Sequence, residues 1–357
     1  MERFLGYLLS FIIYVSNFLF ASFATPEQII HSATDYVNRI PLINMTRWEV
    51  DAASVESPAE GARVIRAWKA ERGGVKVDAY RLAVGEPHTV IGTDASYHPD
   101  PTRTAIAQPV LALEIIECAP ERLHSRTSQQ ILGAAGKNGG RINLMANMSG
   151  AIAAMSGVYF YGSGTKNELT FVSTCPIVRE GVVVSDRGGT QNVLNIYTDG
   201  RWVWESQNAA NVQAHIDDGL SFTVADMMVP YHNGQYWSDL GEEGWNDTGT
   251  EPYSFMAQID ATHYMFAVGE YMPHDLIVDV LISAGAKTIV EADGGNHGYL
   301  FLEGVGNSVH PAALHSLANF VNSKINMLDN EYQYLLGIYA GEGKGAAMKE
   351  IDLFYIS

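Results

Sequence analysis

The sequence is short of cysteine, of basic residues and of any internal repeat, and each shortage narrows what the chain can be. Two cysteines, Cys118 and Cys175, cannot staple a disulfide-rich scaffold, so the 357 residues must be held together by a hydrophobic core. In an exported chain the pair forms one disulfide; the alternative is two separate buried thiols. Only 22 Lys and Arg face 40 Asp and Glu, a formal net charge of −18. Nucleic-acid backbones and anionic lipid surfaces recruit basic patches, so neither is expected as the main partner. An acidic chain can still hold a phosphate, but only in a local site built from backbone amides, arginine or a metal. The absence of a repeat at a period of about 20–50 residues excludes solenoid and propeller arrays.

Charge is also missing from Phe4 to Pro26, directly after Arg3. A helix over this run is roughly 30 Å long, enough to cross a hydrocarbon core. A basic start, an apolar middle and the small residues of Ser22-Phe23-Ala24 make an export signal cleaved before Thr25-Pro26. The same residues 4–24 can instead remain as a membrane anchor, or pack as a helix within an assembly; all three readings stay open. Either of the first two places the chain outside the cytoplasm, secreted or surface-held. Asn44-Met45-Thr46, Asn147-Met148-Ser149 and Asn246-Asp247-Thr248 fit the glycosylation acceptor pattern, one that also arises by chance.

Beyond the apolar start, periodicity predicts a helix over 25–47 and a second amphipathic stretch through Ala62, Val64, Ile65 and Trp68 that stops at Arg72-Gly73-Gly74. From Val75 the pattern turns strand-like. Pro109–Ile116 reads as a buried strand, and Thr127–Ala135 as a capped helix. Further strands follow, with hairpins at Asn192–Trp204 and Phe255–Val268. Asp275–Ala284 is a helix closed by Gly285, and Lys287–Ala292 a strand. His315–Leu328 reads as another helix, and the residues from Glu331 as a final strand or docking extension. The expected fold class is α+β, with mixed, mainly antiparallel sheets, a few inserted helices and a hydrophobic helix in front. The expected divisions are 1–24, a helical segment over 25–74, a main domain over 75–325 and an extension over 326–357.

The segment richest in chemistry is the strand end Glu291-Ala292-Asp293-Gly294-Gly295-Asn296-His297. A carboxylate at a strand end followed by glycines stands at a rim where a ligand can approach the backbone, and the following amides can form an anion nest. The same residues can also be no more than a tight turn between strands.

The run Ala284-Gly285-Ala286, apolar strand, Asp293-Gly294-Gly295-Asn296 resembles the C-terminal signature of the phosphodiester glycosidase family, which has bacterial and phage members. Other stretches are similar in order. Ser156-Gly157-Val158-Tyr159-Phe160 resembles the family's Asn-Gly-x-Phe-Phe. Met228–Gly234 resembles the segment that introduces an apolar strand and surface turn. Pro252-Tyr253-Ser254 stands where the family has Pro-Arg-Thr. The resemblance spans about residues 75–319, and its specific part is the last quarter. Three positions depart from it: Ser156 for Asn, Tyr253 for Arg and Glu291 for Asn. Arginine grips phosphate bidentately, whereas a tyrosine donates one hydrogen bond and carries no positive charge.

The resemblance implies an exported glycoside hydrolase acting on sugar-phosphate diester linkages or on surface and cell-wall glycans. Catalysis would fall to Asp293, with Glu291 and His297 as further acid, base or ligand candidates. Gly294, Gly295, Asn296, Ser156, Tyr253 and Arg187 would bind substrate, Arg187 replacing the missing arginine. Paired carboxylates can alternatively hold a divalent cation such as calcium. The competing expectation is a carbohydrate-binding or structural protein of a cell surface, phage tail or other virion part, inactive on the same fold and assembling as a homo-oligomer.

Overall fold

A computed structural model describes residues 46–93, 99–137, 139–158, 160–162, 169–171, 173–225, 228–236, 253–294, 300–302 and 349–357. The apolar start, residues 25–45 of the helix expected over 25–47, the Glu331 segment up to 348, and the helix expected over 315–328 lie outside these residues.

Among the described residues the chain is mostly β, and this corrects the expected α+β class. The largest element is a nine-stranded antiparallel sheet in the order Thr46–Val50, Ala62–Arg72, Val75–Val84, Val110–Glu117, His263–Glu270, Tyr253–Asp260, Thr288–Gly294, Tyr231–His232 and Gln235–Tyr236. A five-stranded sheet and a four-stranded sheet pack near it.

The correction is sharpest at the expected helical segment over 25–74. Thr46–Val50 is a strand, and so is all of Ala62–Arg72. Gly73-Gly74, read from sequence as a helix stop, is instead a two-residue hairpin turn that sets Arg72 opposite Val75. Both glycines have positive φ, 57° and 84°, the geometry whose twist matches a right-handed hairpin. Ala62, Val64, Ile65 and Trp68 imitate helical spacing because the ladder slips between Val64 and Arg66, which shifts the alternation by one residue.

Alternation explains the long apolar runs. In Val110–Glu117, Ala112 and Ile116 enter one hydrophobic core while Leu111 and Leu113 enter another. Tyr253–Asp260, His263–Glu270 and Thr288–Gly294 divide in the same way: Met256, Phe266 and Val290 to the first core, Phe255, Ala267 and Ile289 to the second. The sheet is thus covered on both faces, so its central strands read as continuous hydrophobic stretches. The second core is roofed by the helix His274–Ser283 through Ile277, Val280 and Leu281. That helix ends where sequence placed its stop, with Gly285 at φ 101°. The first core is closed by the smaller sheets, in which Asp352–Ile356 lies between Leu123–Thr127 and Ala153–Ser156.

The helix expected at Thr127–Ala135 is present as Ser128–Leu132, continued by a 3-10 turn. Thr127 and Gln130 form a capping box. Both expected hairpins are present as Gln191–Tyr197 with Trp202–Gln207, and Tyr253–Asp260 with His263–Glu270. Cys118 and Cys175 are both free and buried, which settles the cysteine question in favour of two thiols. Burial pushes the Cys118 thiol up to about 12.

Candidate functional site

The strand Thr288–Gly294 carries the acidic candidates to the end of the sheet. Val290 and Ala292 belong to the first core and Ile289 to the second, so Glu291 shares the second face. Glu291 is 2% exposed there, and its Oε1 lies 3.5 Å from His274 Nε2. His274 opens the helix His274–Ser283, immediately after Pro273, whose extended backbone (φ −60°, ψ 152°) sets the entry. Tyr253 pairs in the ladder with Gly294, and its ring meets the His274 imidazole edge-on at 3.8 Å between centroids. Phe255 adds a second edge contact at 6.0 Å.

Side chains from three elements thus gather around one imidazole: Glu291 from the middle of a strand, His274 from a helix start and Tyr253 from the adjacent strand. An ionised carboxylate out of water is costly unless paired, and a neighbouring imidazole supplies either a donor or a positive charge. A buried carboxylate and an imidazole side by side among aromatic rings are candidates for acid–base work. His274 was not among the residues singled out from sequence. The signal was its place just after Pro273 at the head of an amphipathic stretch, where the reading started one residue later, at Asp275.

The other candidates fall in several places. Asp293 and Gly294 are the last residues of the strand. Gly295, Asn296 and His297 lie outside the described residues. Ser156 is buried on the opposite face from Glu291 and Tyr253, with its Oγ 3.3 Å from Ser254 Oγ. Alternation along Tyr253–Asp260 sends neighbouring Tyr253 and Ser254 to opposite faces, so the two departed landmarks do not share one set of contacts. Arg187 is exposed in the segment after Val182–Ser185, the edge strand of the five-stranded sheet, and is not part of the Glu291 group. Among the described residues no three His, Cys, Asp or Glu side chains are grouped to hold a metal ion.

A second polar centre lies in the first core. Arg179 and Asp352 are both fully buried. Nε donates to Asp352 Oδ2 at 2.8 Å, and Nη1 donates to the carbonyls of Val178 and Thr223 at 2.8 and 2.6 Å. Asp352 Oδ1 accepts from the Val158 amide at 3.0 Å. A cavity of about 10 Å³, room for a single water, adjoins Arg179 beside Val158, Phe171 and Met228. Nothing in sequence links these two residues: they are far apart and each sits in an ordinary apolar strand.

No family model and no curated protein matches the chain. Among solved structures, it is similar to the zebrafish N-acetylglucosamine-1-phosphodiester alpha-N-acetylglucosaminidase catalytic domain auto-inhibited by its pro-peptide. The identity is 11%, over 76% of this chain and 83% of that one, with a TM-score of 0.45. It is also similar to a hypothetical protein from Synechocystis, at 8% identity over 73% and 77% with a TM-score of 0.40. A Burkholderia pseudomallei K96243 protein classed as exported matches at 8% identity over 74% and 93%, with a TM-score of 0.38. These are likenesses in the course of the chain. Among the described residues no helix is long and apolar enough to cross a membrane.

Proposed function

We propose that this chain is an exported glycoside hydrolase that cleaves sugar-phosphate diester linkages or glycans of a surface or cell wall. The observation that carries the reading is the Glu291–His274 contact. It is a buried carboxylate and imidazole at 3.5 Å, two residues before a strand-end aspartate followed by glycine. Hydrolysis at an anomeric carbon passes through an oxocarbenium-like state and uses carboxyl groups as acid, base or nucleophile. Asp293 is the catalytic carboxylate in this reading, since it stands next to Gly294, the last residue of the strand. Glu291 is buried beside His274, which suits a positioning residue for the imidazole. The imidazole is then the proton carrier next to the strand end.

The test is an assay of the purified protein on sugar-1-phosphodiesters and cell-wall glycans, with Asp293→Asn and His274→Ala beside it. Asp293→Asn is expected to lower kcat by about 10²–10⁴-fold, the range for a lost acid–base group. His274→Ala is expected to lower kcat and flatten the pH profile while substrate affinity is kept. Turnover untouched by both substitutions would refute the assignment.

One observation favours a second reading, a glycan-binding part without turnover: Ser156 and Tyr253 occupy opposite faces and each contacts another side chain of the protein. Glycan binding that survives Asp293→Asn, with no hydrolysis by the parent chain, would select it.

A further inference from the structure

The chain passes from the strand His263–Glu270 to the helix His274–Ser283 through three residues, Tyr271-Met272-Pro273. The connection has little slack: a side chain on Gly269 would overlap Ile277 of the helix, and Met272 is fully buried in the second core. Tyr271 turns the chain between them in the left-handed region, with φ 57°. Among the described residues, twelve of the positions with positive φ are glycines. Of the three that are not, Glu180 and Asn233 sit in two-residue hairpin turns, each followed by a glycine, where the turn demands positive φ. Tyr271 is in no hairpin. A bulky side chain in this conformation is sterically costly, and glycine would make the same turn without the cost.

The ring belongs to neither hydrophobic core, and Tyr271 is 37% exposed. Backbone strain kept at an exposed aromatic residue marks a position retained for its side chain, and such residues gather at ligand clamps. Its place in the fold is specific. Gly269 stands opposite Tyr253 and Tyr253 opposite Gly294, so the strand leading into Tyr271 and the strand carrying Asp293 finish at the same end of the large sheet. At about 4.8 Å per strand, those two strand ends are roughly 10 Å apart. On the strand between them Tyr253 meets the ring of His274, which follows Tyr271 by one short connection.

We propose that Tyr271 is a platform for a sugar ring, a substrate-positioning residue that holds the glycan at the sheet end where Asp293 stands. The face of an aromatic ring is negative and attracts the C–H face of a pyranose, while the phenol O–H reaches a sugar hydroxyl. A tyrosine side chain offers this contact area at small cost in conformational entropy. The choice of a sugar rests on the glycosidase reading; the strained, exposed ring at the sheet end does not. Tyr271 also has a partner within the chain, and a stability measurement separates that role from ligand binding.

The experiment compares the full chain with Tyr271→Asn, which tolerates the left-handed backbone and loses the ring, and with Tyr271→Phe, which keeps the ring. Kd for cellotetraose and for the methyl diester of glucose 1-phosphate is read by NMR titration, and Tm by calorimetry. Tyr271→Asn is expected to weaken binding about five- to ten-fold, with Tm unchanged or raised because strain is relieved. Tyr271→Phe is expected to bind as the parent does. A lower Tm for Tyr271→Asn, an unchanged affinity, or no binding of either probe by the parent would show that the ring serves the chain's own packing and would overturn the proposal. If Asp293→Asn leaves turnover untouched while Tyr271→Asn weakens binding, the glycosidase reading falls and the platform stands. If Asp293→Asn abolishes turnover while Tyr271→Asn binds as the parent does, the platform alone falls.

Discussion

Glu114 occupies the middle of Val110–Glu117, opposite Ala79 on one neighbour and Phe266 on the other, and none of its surface reaches solvent. Neither carboxyl oxygen has a hydrogen-bond partner. Burial alone holds its carboxyl well above the usual range, so the folded protein keeps a proton that the unfolded chain releases. The sign follows from linkage. Below the ordinary carboxylate pKa both states are protonated and nothing is lost; as pH rises past it, the unfolded state alone ionises and folding stability falls. Glu114→Met, of similar shape and with no polar atom, is therefore expected to stabilise the protein by about 1–3 kcal/mol near neutral pH. Denaturant melts at pH 4 and 7.5 check this: the gain widens with pH, and a gain that stays flat would contradict it. The apolar run around Glu114 was legible as a buried strand. The missing partner was not, because whether a buried acid finds a donor depends on the opposing sheet.

At the scale of elements, the final strand shows what sequence periodicity leaves out. Asp352–Ile356 was legible only as a final strand or extension, yet it forms the middle of a sheet and is clasped by Arg179 across the core. A Cβ on Gly157 would overlap the Asp352 carboxylate, so that glycine is required by packing and not by its φ. Breaking a buried ion pair by removing one partner leaves the other charge stranded, at about 3–5 kcal/mol. Asp352→Ala is expected to lose this much in chemical denaturation, and Gly157→Ala to lose stability by the same route. An Asp352→Ala loss below the measurement error would show the clasp to be dispensable. The hairpin at Gly73-Gly74 teaches the complementary lesson. Its two glycines were noticed, but a stop signal and a tight turn look alike until the partner strand is known.

Across the whole molecule, a sheet with a core on each face explains both what could be read and what could not. Strand pairs joined by short turns, and the helix His274–Ser283, were legible because their periodicity and glycine stops are local. The overall class was misjudged because Ala62–Arg72 carries a ladder slip that mimics helical spacing. Of the candidate site, Glu291 and the strand leading to Asp293 were legible from the run before Gly294-Gly295. His274 was not, since its place depends on which elements the sheet brings side by side. The central claim is that this sheet delivers Asp293 to its end as a catalytic carboxylate. The most direct test is the ratio of kcat/KM for a sugar-1-phosphodiester between the parent chain and Asp293→Asn. A fall of about 10²-fold or more, with the fold intact by circular dichroism, is the expected result; an unchanged ratio would contradict it.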